Sequence, residues 1–402
     1  MNTNLNNLYF VLLILFTNSY ISILIHDVTC YEPEHIQVIV LSGSNREMGL
    51  EYGKSMKNKM LKNLNIIKNF AETKNINYTQ LVDSSNSFFL TFDKSYQNFI
   101  ESISEGSGDS LKLDDVKVLN AQETLHKFFN PLKTQSTLNS ACAFLFLPSH
   151  KTITGSSLIA RNYDFSEPFN EIADLLSLVI LKENNKHPTA IIGFPGQIYC
   201  PTCINSQGIF MEINNGGNYC QNAPRKIGIS LLNKLLVTLQ EAGDLPSIDQ
   251  ALNKAYSNHC LIVNAAHNNR VLNLEFNKSQ EMRSFYPDVP FVSTNFFLNP
   301  AWGNLNPTNK DTWSGVTRKD NLLNLISKEY NFDIQKLKNI MDKLLSSGGA
   351  TAVNTIYQVN TIYQVLFDSN TYDLYLKITA NPKLSWIKIS LKPYFQTIME
   401  DL

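Results

Sequence analysis

Two apolar stretches flank a polar segment between Asn139 and Phe165, and this is the most informative pattern in the chain. Strand-like runs on either side of a turn built from Pro148, Ser149, His150, Lys151 and Gly155 predict a β-hairpin. Its first strand opens on a cysteine, Cys142, and its second ends on Arg161, Asn162 and Asp164. A core strand has no structural use for an arginine and an aspartate three apart, because burying either one unpaired is costly. Closing the hairpin returns the Arg161–Asp164 end to Cys142, so a thiol, a guanidinium and a carboxylate meet. The pattern therefore predicts an active site.

Upstream, HIQVIVLSG (His35 to Gly43) alternates like a strand. Ser44 or Asn45 then caps a helix to about Lys74, with Met48, Tyr52, Met56, Met60 and Leu64 in helical register. Gly49 and Gly53, one turn apart, suggest close packing of another backbone. More helix runs through Phe99, Ile100 and Ile103, is broken at Gly106 to Ser110, and resumes from Asp114 to Phe129. After Cys142 the pattern changes to short strands: Leu175 to Leu181, Thr189 to Phe194, IFMEINN after the turn at Asn205 to Gly208, CLIVNAA with VLNLEF, and FVSTNFF. Helices are predicted over Ile229 to Gln240, Ile248 to Tyr256, Arg318 to Lys328 and Ile334 to Leu345, before three last strands. NTIYQV occurs twice, at Asn354 and Asn360, which is too short a unit for a solenoid and reads as a lengthened loop or strand end. Strands interspersed with paired helices predict an α+β fold of sheets covered by helices, and an αββα sandwich suits the pattern.

The 402 residues are 43 % hydrophobic and 17 % charged with net charge −1, enough for a large core and a poor match to nucleic acid. Residues 1–25 form a separate unit, with Leu8 to Phe16 continuously apolar and the run resumed at Tyr20 to Ile25. This reads as a secretory signal, cleaved near Ser19, in preference to a retained anchor. No second segment of that length follows, so no membrane span is expected after signal removal. Secretion makes the sequons at Asn77 and Asn277 glycosylation candidates and permits disulfides among Cys30, Cys200, Cys203, Cys220 and Cys260. Cys200-Pro-Thr-Cys203 has half-zinc-site spacing, but no second CxxC or histidine pair follows, so a local or longer-range disulfide is expected and no metal.

A free thiol is mostly protonated at neutral pH and needs a base. His126, His150 and His187 are near in sequence but lack acid–base neighbours. Cutting the chain between Ala141 and Cys142 would instead supply an α-amino group titrating near neutrality. Asp164 would orient that amine and Arg161 would favour thiolate. The amides of Asn215 and Asn295 offer neutral donors for an oxyanion.

Cys142 followed nineteen residues later by RNYDF resembles the hairpin of the cysteine N-terminal-nucleophile (Ntn) amidohydrolases, the superfamily of choloylglycine hydrolase, penicillin V acylase, acid ceramidase and the isopenicillin-N acyltransferase group. GSNREMGLEYG resembles the opening motif of the acyltransferase group, NSQGIFMEINN its strand ending in an oxyanion asparagine, FVSTNFF its Thr-Asn-His strand, and SGVTRKDNL its helix start bearing an arginine. Ala143 and Ala160 depart from the usual small hydroxyl residue and glycine, and Phe296 or Phe297 stands in place of histidine. The resemblance implies a four-layer αββα sandwich, with a mostly helical segment 26–141 and a catalytic segment 142–402. It implies Cys142 as nucleophile and autocleavage residue, Arg161 and Asp164 as its supports, Asn215 and Asn295 as the oxyanion site, and Arg318 as a buttress. It implies a secreted or lysosomal enzyme acting on a small-molecule N-acyl amide without cofactor. Transfer from a thioester such as acyl-coenzyme A shares the acyl-enzyme and stays open, as does a non-catalytic lipid-binding or interaction protein; oligomeric state is not legible.

Overall fold

In the computed structural model, which describes residues 36–396 apart from 109, 130–141, 217–230, 254, 256, 258–259, 278–279, 299–313 and 354–358, two sheets carry the chain. One runs, in spatial order, β1 (Gln37–Gly43), β4 (Ser177–Glu183), β5 (Thr189–Gly193), β6 (Thr202–Asn205), β7 (Phe210–Asn215), β8 (Cys260–His267), β9 (Arg270–Asn277) and β10 (Gln280–Pro287). The other runs β11 (Phe291–Ser293), β2 (Ala143–Leu147), β3 (Leu158–Phe165), β12 (Asn360–Asp368), β13 (Asp373–Ile378) and β14 (Ile387–Ser390).

Strand alternation explains the layering. On the β2–β3 hairpin, Phe144, Phe146, Ile159 and Tyr163 face one way and meet Leu178, Ile180, Ile192 and Phe210 of the first sheet. Ala143, Leu145, Leu147, Leu158 and Ala160 face the other way, against Leu322 and Ile326 of α8 (Gly315–Ser327) and Leu337 and Met341 of α9 (Ile334–Met341). The first sheet's far face is covered by α1 (Asn45–Thr73), α3 (Lys94–Gly106) and α6 (Leu231–Glu241). The result is an α+β fold with helix, sheet, sheet and helix in turn. Between α1 and α3 lie α2 (Tyr78–Phe89), and before β2 lie α4 (Leu113–Asn120) and α5 (Gln122–Phe129).

The predicted register of α1 holds: Met48, Tyr52, Met56, Met60 and Leu64 are all buried, and Ser44 forms a capping box with Glu47. Gly49 and Gly53 face the carbonyls of Phe99 and Ile103 so closely that a Cβ would collide with them, the close backbone approach their spacing suggests. β1 pairs in parallel with β4, Gln37 beside Ser177, which ties the segment before Cys142 into a sheet of the segment after it. The helix expected from Asp114 to Phe129 is two helices divided at Ala121. The one expected from Ile248 instead spans Leu245–Ala251 (α7), since Asp244 caps it and a proline occupies its first turn. Pattern reading omits β6, only four residues long, and β10, an edge strand whose polar sequence QEMRSFYP hides its alternation. Of FVSTNFF only Phe291–Ser293 is strand, which frees Thr294 and Asn295 to turn inward. The second NTIYQV copy opens β12; the first lies largely outside the described residues, as do the signal segment, Cys30, Cys220 and Ala141. No helix among the described residues is long and apolar enough to cross a membrane.

Candidate active site

Cys142 precedes β2 and, like Phe144 and Phe146, points between the sheets. It is the free cysteine of the described residues and is buried. Arg161 lies on the same face of β3, with Nη2 3.6 Å from Cys142 Sγ. That guanidinium is fully enclosed. It donates to the carbonyls of Pro201 and Ile213 (2.7 Å for the latter) and to Thr202 Oγ1 at 2.5 Å, while Nε lies 3.3 Å from Glu212 Oε2. Pro201 and Thr202 sit between Cys200 and Cys203, which form a disulfide, the local of the two alternatives; Cys260 is disulfide-bonded as well.

Asp164 is three residues from Arg161 and therefore occupies the opposite face of β3. The two do not pair with each other. Asp164 Oδ2 lies 3.5 Å from Arg318 Nη1, and Thr361 Oγ1 donates to Oδ1 at 2.7 Å. A register shift between Thr361 and Tyr363 aims that hydroxyl at the carboxylate, the kind of re-aiming a bulge produces. Near the thiol itself Asp164 offers its backbone carbonyl, 4.0 Å from Sγ. Arg161 thus takes the thiol and Glu212, and Arg318 takes Asp164.

Arg318, in the first turn of α8, links the remaining candidates. Nη1 donates to the Cys142 carbonyl at 2.8 Å and Nη2 to Asn295 Oδ1 at 2.8 Å. Asn295 Nδ2 in turn donates to the Asn215 carbonyl at 2.9 Å. All six residues singled out in the sequence therefore meet around one point, and each is buried. Beside Sγ lies a cavity of about 20 Å³ lined by Cys142, Arg161, Glu123, Tyr163, Asn214 and Asn215, among others. Its aromatic wall continues into stacked Tyr163 and Tyr363, ring centres 4.5 Å apart.

Burial dominates the electrostatics. It pushes the Cys142 thiol up to about 11, with Arg161 pulling the other way and the charges of Asp164 and Glu212 adding to the rise. The expected thiolate is not favoured in the continuous chain. Burial likewise raises Asp164 to about 7 against the pull of Arg318, Thr361 and Arg161, and Glu212 to about 7 against Arg161 and Asn264. Glu123, beneath Tyr163, is also raised by burial.

Sequence reasoning missed Glu212, Thr361 and Glu123. For Glu212 the signal was present: it stands mid-strand in IFMEINN, on the face of Phe210, where an apolar residue belongs. Directly across β8 and β9 stand Asn264 and Asn273, which continue the polar row: Asn264 Nδ2 donates to Glu212 Oε1 at 2.5 Å and Asn273 Nδ2 to Asn264 Oδ1 at 2.8 Å.

No protein-family description matches this chain, and no curated protein matches it. Several solved structures are similar to it. A variant of the conjugated bile acid hydrolase of Clostridium perfringens is 13 % identical, covering 63 % of this chain and 93 % of its own, with TM-score 0.43. Penicillin V acylase of Agrobacterium tumefaciens is 10 % identical, covering 62 % and 86 %, with TM-score 0.45. The Caenorhabditis elegans ortholog of N-acylethanolamine-hydrolyzing acid amidase is 12 % identical, covering 57 % and 93 %, with TM-score 0.41.

Proposed function

We propose that this protein is an amidohydrolase of the secretory pathway, secreted or lysosomal, that cleaves a linear N-acyl amide through Cys142. The observation that carries this reading is the 3.6 Å approach of Arg161 to Cys142 Sγ inside a buried polar set that also joins Asp164, Asn295 and Arg318 to the Cys142 and Asn215 backbone. Buried charge of this density is a poor means of holding two sheets together, since replacing such pairs by apolar residues is often stabilising.

In this reading the chain is cut between Ala141 and Cys142, and the new α-amino group takes the thiol proton. Sγ then bonds to the acyl carbon, the carbon–nitrogen bond breaks, and the nitrogen leaves as an amine carrying that proton. Water adds to the thioester, releasing a carboxylic acid and restoring the thiol. The cut replaces an amide nitrogen, which has no basic lone pair, by a base titrating near neutrality beside the thiol. Asp164, reached through Arg318 from the Cys142 backbone, accepts from the amine; Asn215 and Asn295 frame the oxyanion. β1, locked to β4, keeps segment 26–141 attached after cleavage. N-terminal sequencing of the mature protein is expected to read from Cys142, and Cys142→Ala to remain uncut and inactive. An uncut wild-type chain with full amidase activity overturns the mechanism.

The secretory address rests on Leu8 to Ile25 and on the two sequons. Asn77 is exposed at the cap of α2, where its Oδ1 accepts from Thr79 N; a glycan on Nδ2 leaves that bond in place. The Asn277 side chain lies outside the described residues. Glycosidase treatment should lower the mass of both fragments, and no shift in either counts against this address.

A further inference from the structure

Asn214 is a residue beside Cys142 whose chemistry nothing above uses. Alternation along β7 places it with Phe210 and Glu212 on the face turned toward the second sheet, across from Ile262 of β8. The neighbouring Ile213 carbonyl, held at 2.7 Å by Arg161, fixes this end of β7 against the thiol. The side chain is 1 % exposed, lines the cavity at Cys142, and neither its Nδ2 nor its Oδ1 has a hydrogen-bond partner. In the same wall Arg161 is engaged by Sγ, Ile213 and Glu212, and Glu123 by Tyr163. A buried amide with both groups unmade is a stability cost, and such a group calls for a ligand that completes it.

We propose that Asn214 reads the scissile amide of the substrate and restricts the enzyme to amides that carry an N–H. This deepens the amidohydrolase reading and rests on it. Oδ1 accepts the N–H of the bond to be cut. In a trans amide the carbonyl then points the opposite way, toward the Asn215–Asn295 side of the site. Nδ2 is left to donate to an acceptor on the amine portion of the substrate. An oxoester, a thioester or an N,N-disubstituted amide has no N–H and leaves Oδ1 buried and unpaired, the situation in which sites built to bond a polar group reject analogues lacking it. Asn214 therefore favours amide donors over acyl thioesters.

The test compares the fluorogenic aminocoumarin amide and hydroxycoumarin oxoester of one fatty acid, in the processed wild type and in Asn214→Leu, a change of similar shape that removes both polar atoms. The ratio of amide to ester kcat/KM is expected to fall about 10- to 100-fold, the scale of one unmade buried hydrogen bond. The thermal midpoint is expected to hold or rise, because two unpaired buried groups are removed. Asn214→Ala serves the same comparison if the leucine variant misfolds. A ratio unchanged within about twofold, or a lowered midpoint with both rates falling together, assigns Asn214 a packing role and overturns the proposal. If Cys142→Ala hydrolyses the amide as fast as wild type, the amidohydrolase reading itself falls and this one with it; wild-type amide turnover through Cys142 with an unchanged ratio removes only the role of Asn214.

Discussion

The two faces of β3 solve one problem differently. Toward the first sheet, Arg161 is a cation held by three carbonyl or hydroxyl oxygens and by Glu212, a carboxylate brought by β7. Toward the helices, Asp164 is a carboxylate held by Thr361 from β12 and Arg318 from α8. Each face buries one pair of opposite charges, and each pair touches Cys142 at a different atom: Arg161 at Sγ, Arg318 at the carbonyl oxygen. The lesson is a division of labour. One face addresses the sulfur, and the other addresses the backbone of the residue whose amine the proposed cut would free.

Removing one carboxylate at a time should separate the faces. The largest effect is expected from Glu212→Ala, which leaves Arg161 buried without its counter-charge and should cost about 3–5 kcal/mol of stability. A lowered urea midpoint measures it; an unchanged midpoint means the oxygens of Pro201, Thr202 and Ile213 suffice. Asp164→Asn keeps hydrogen-bonding partners in Thr361 and Arg318 but weakens the acceptor for the α-amine. In protein confirmed as cleaved, kcat should drop on the order of 10²-fold, about 2.7 kcal/mol. Turnover near wild type would take the helix-side face out of the chemistry.

The two faces share one pH signature. Asp164 and Glu212 both titrate at about 7 in the fold, above the ordinary carboxylate range. A raised pKa means the folded state holds protons that the unfolded state has lost. The resulting stability is complete below about pH 4 and is lost as pH rises to about 7, where the folded carboxyls ionise too. The thermal midpoint is expected to fall across that window, and Asp164→Asn and Glu212→Gln each to remove part of the slope. A flat profile would show that the carboxyls stay ionised throughout. The smallest change is expected from Thr361→Val, which deprives Asp164 of one hydrogen bond. It should move the acidic limb of the kcat profile up by roughly one pH unit, about 1.4 kcal/mol. An unmoved limb would detach Asp164 from that limb.

The hairpin, its cysteine and its misplaced charges are legible along the chain because each is a local violation of a local rule: a period-two strand with an arginine and an aspartate where apolar residues belong. Applied to IFMEINN, the same rule exposes Glu212 and Asn214 just as plainly. Arg318 is another case, since nothing local marks it and only the resemblance pointed to it. The α1 register, the close approach at Gly49 and Gly53, and the division into strands and helices also follow from the sequence. Which charge meets which does not. Arg161 and Asp164 look like partners at a separation of three, yet strand geometry sends them to opposite faces. Their true partners, Glu212 and Arg318, lie 51 and 154 residues away. Those pairings, and the cavity between Cys142 and Asn214, exist because two sheets stack and a helix closes over one of them. No pattern within a single strand carries that information.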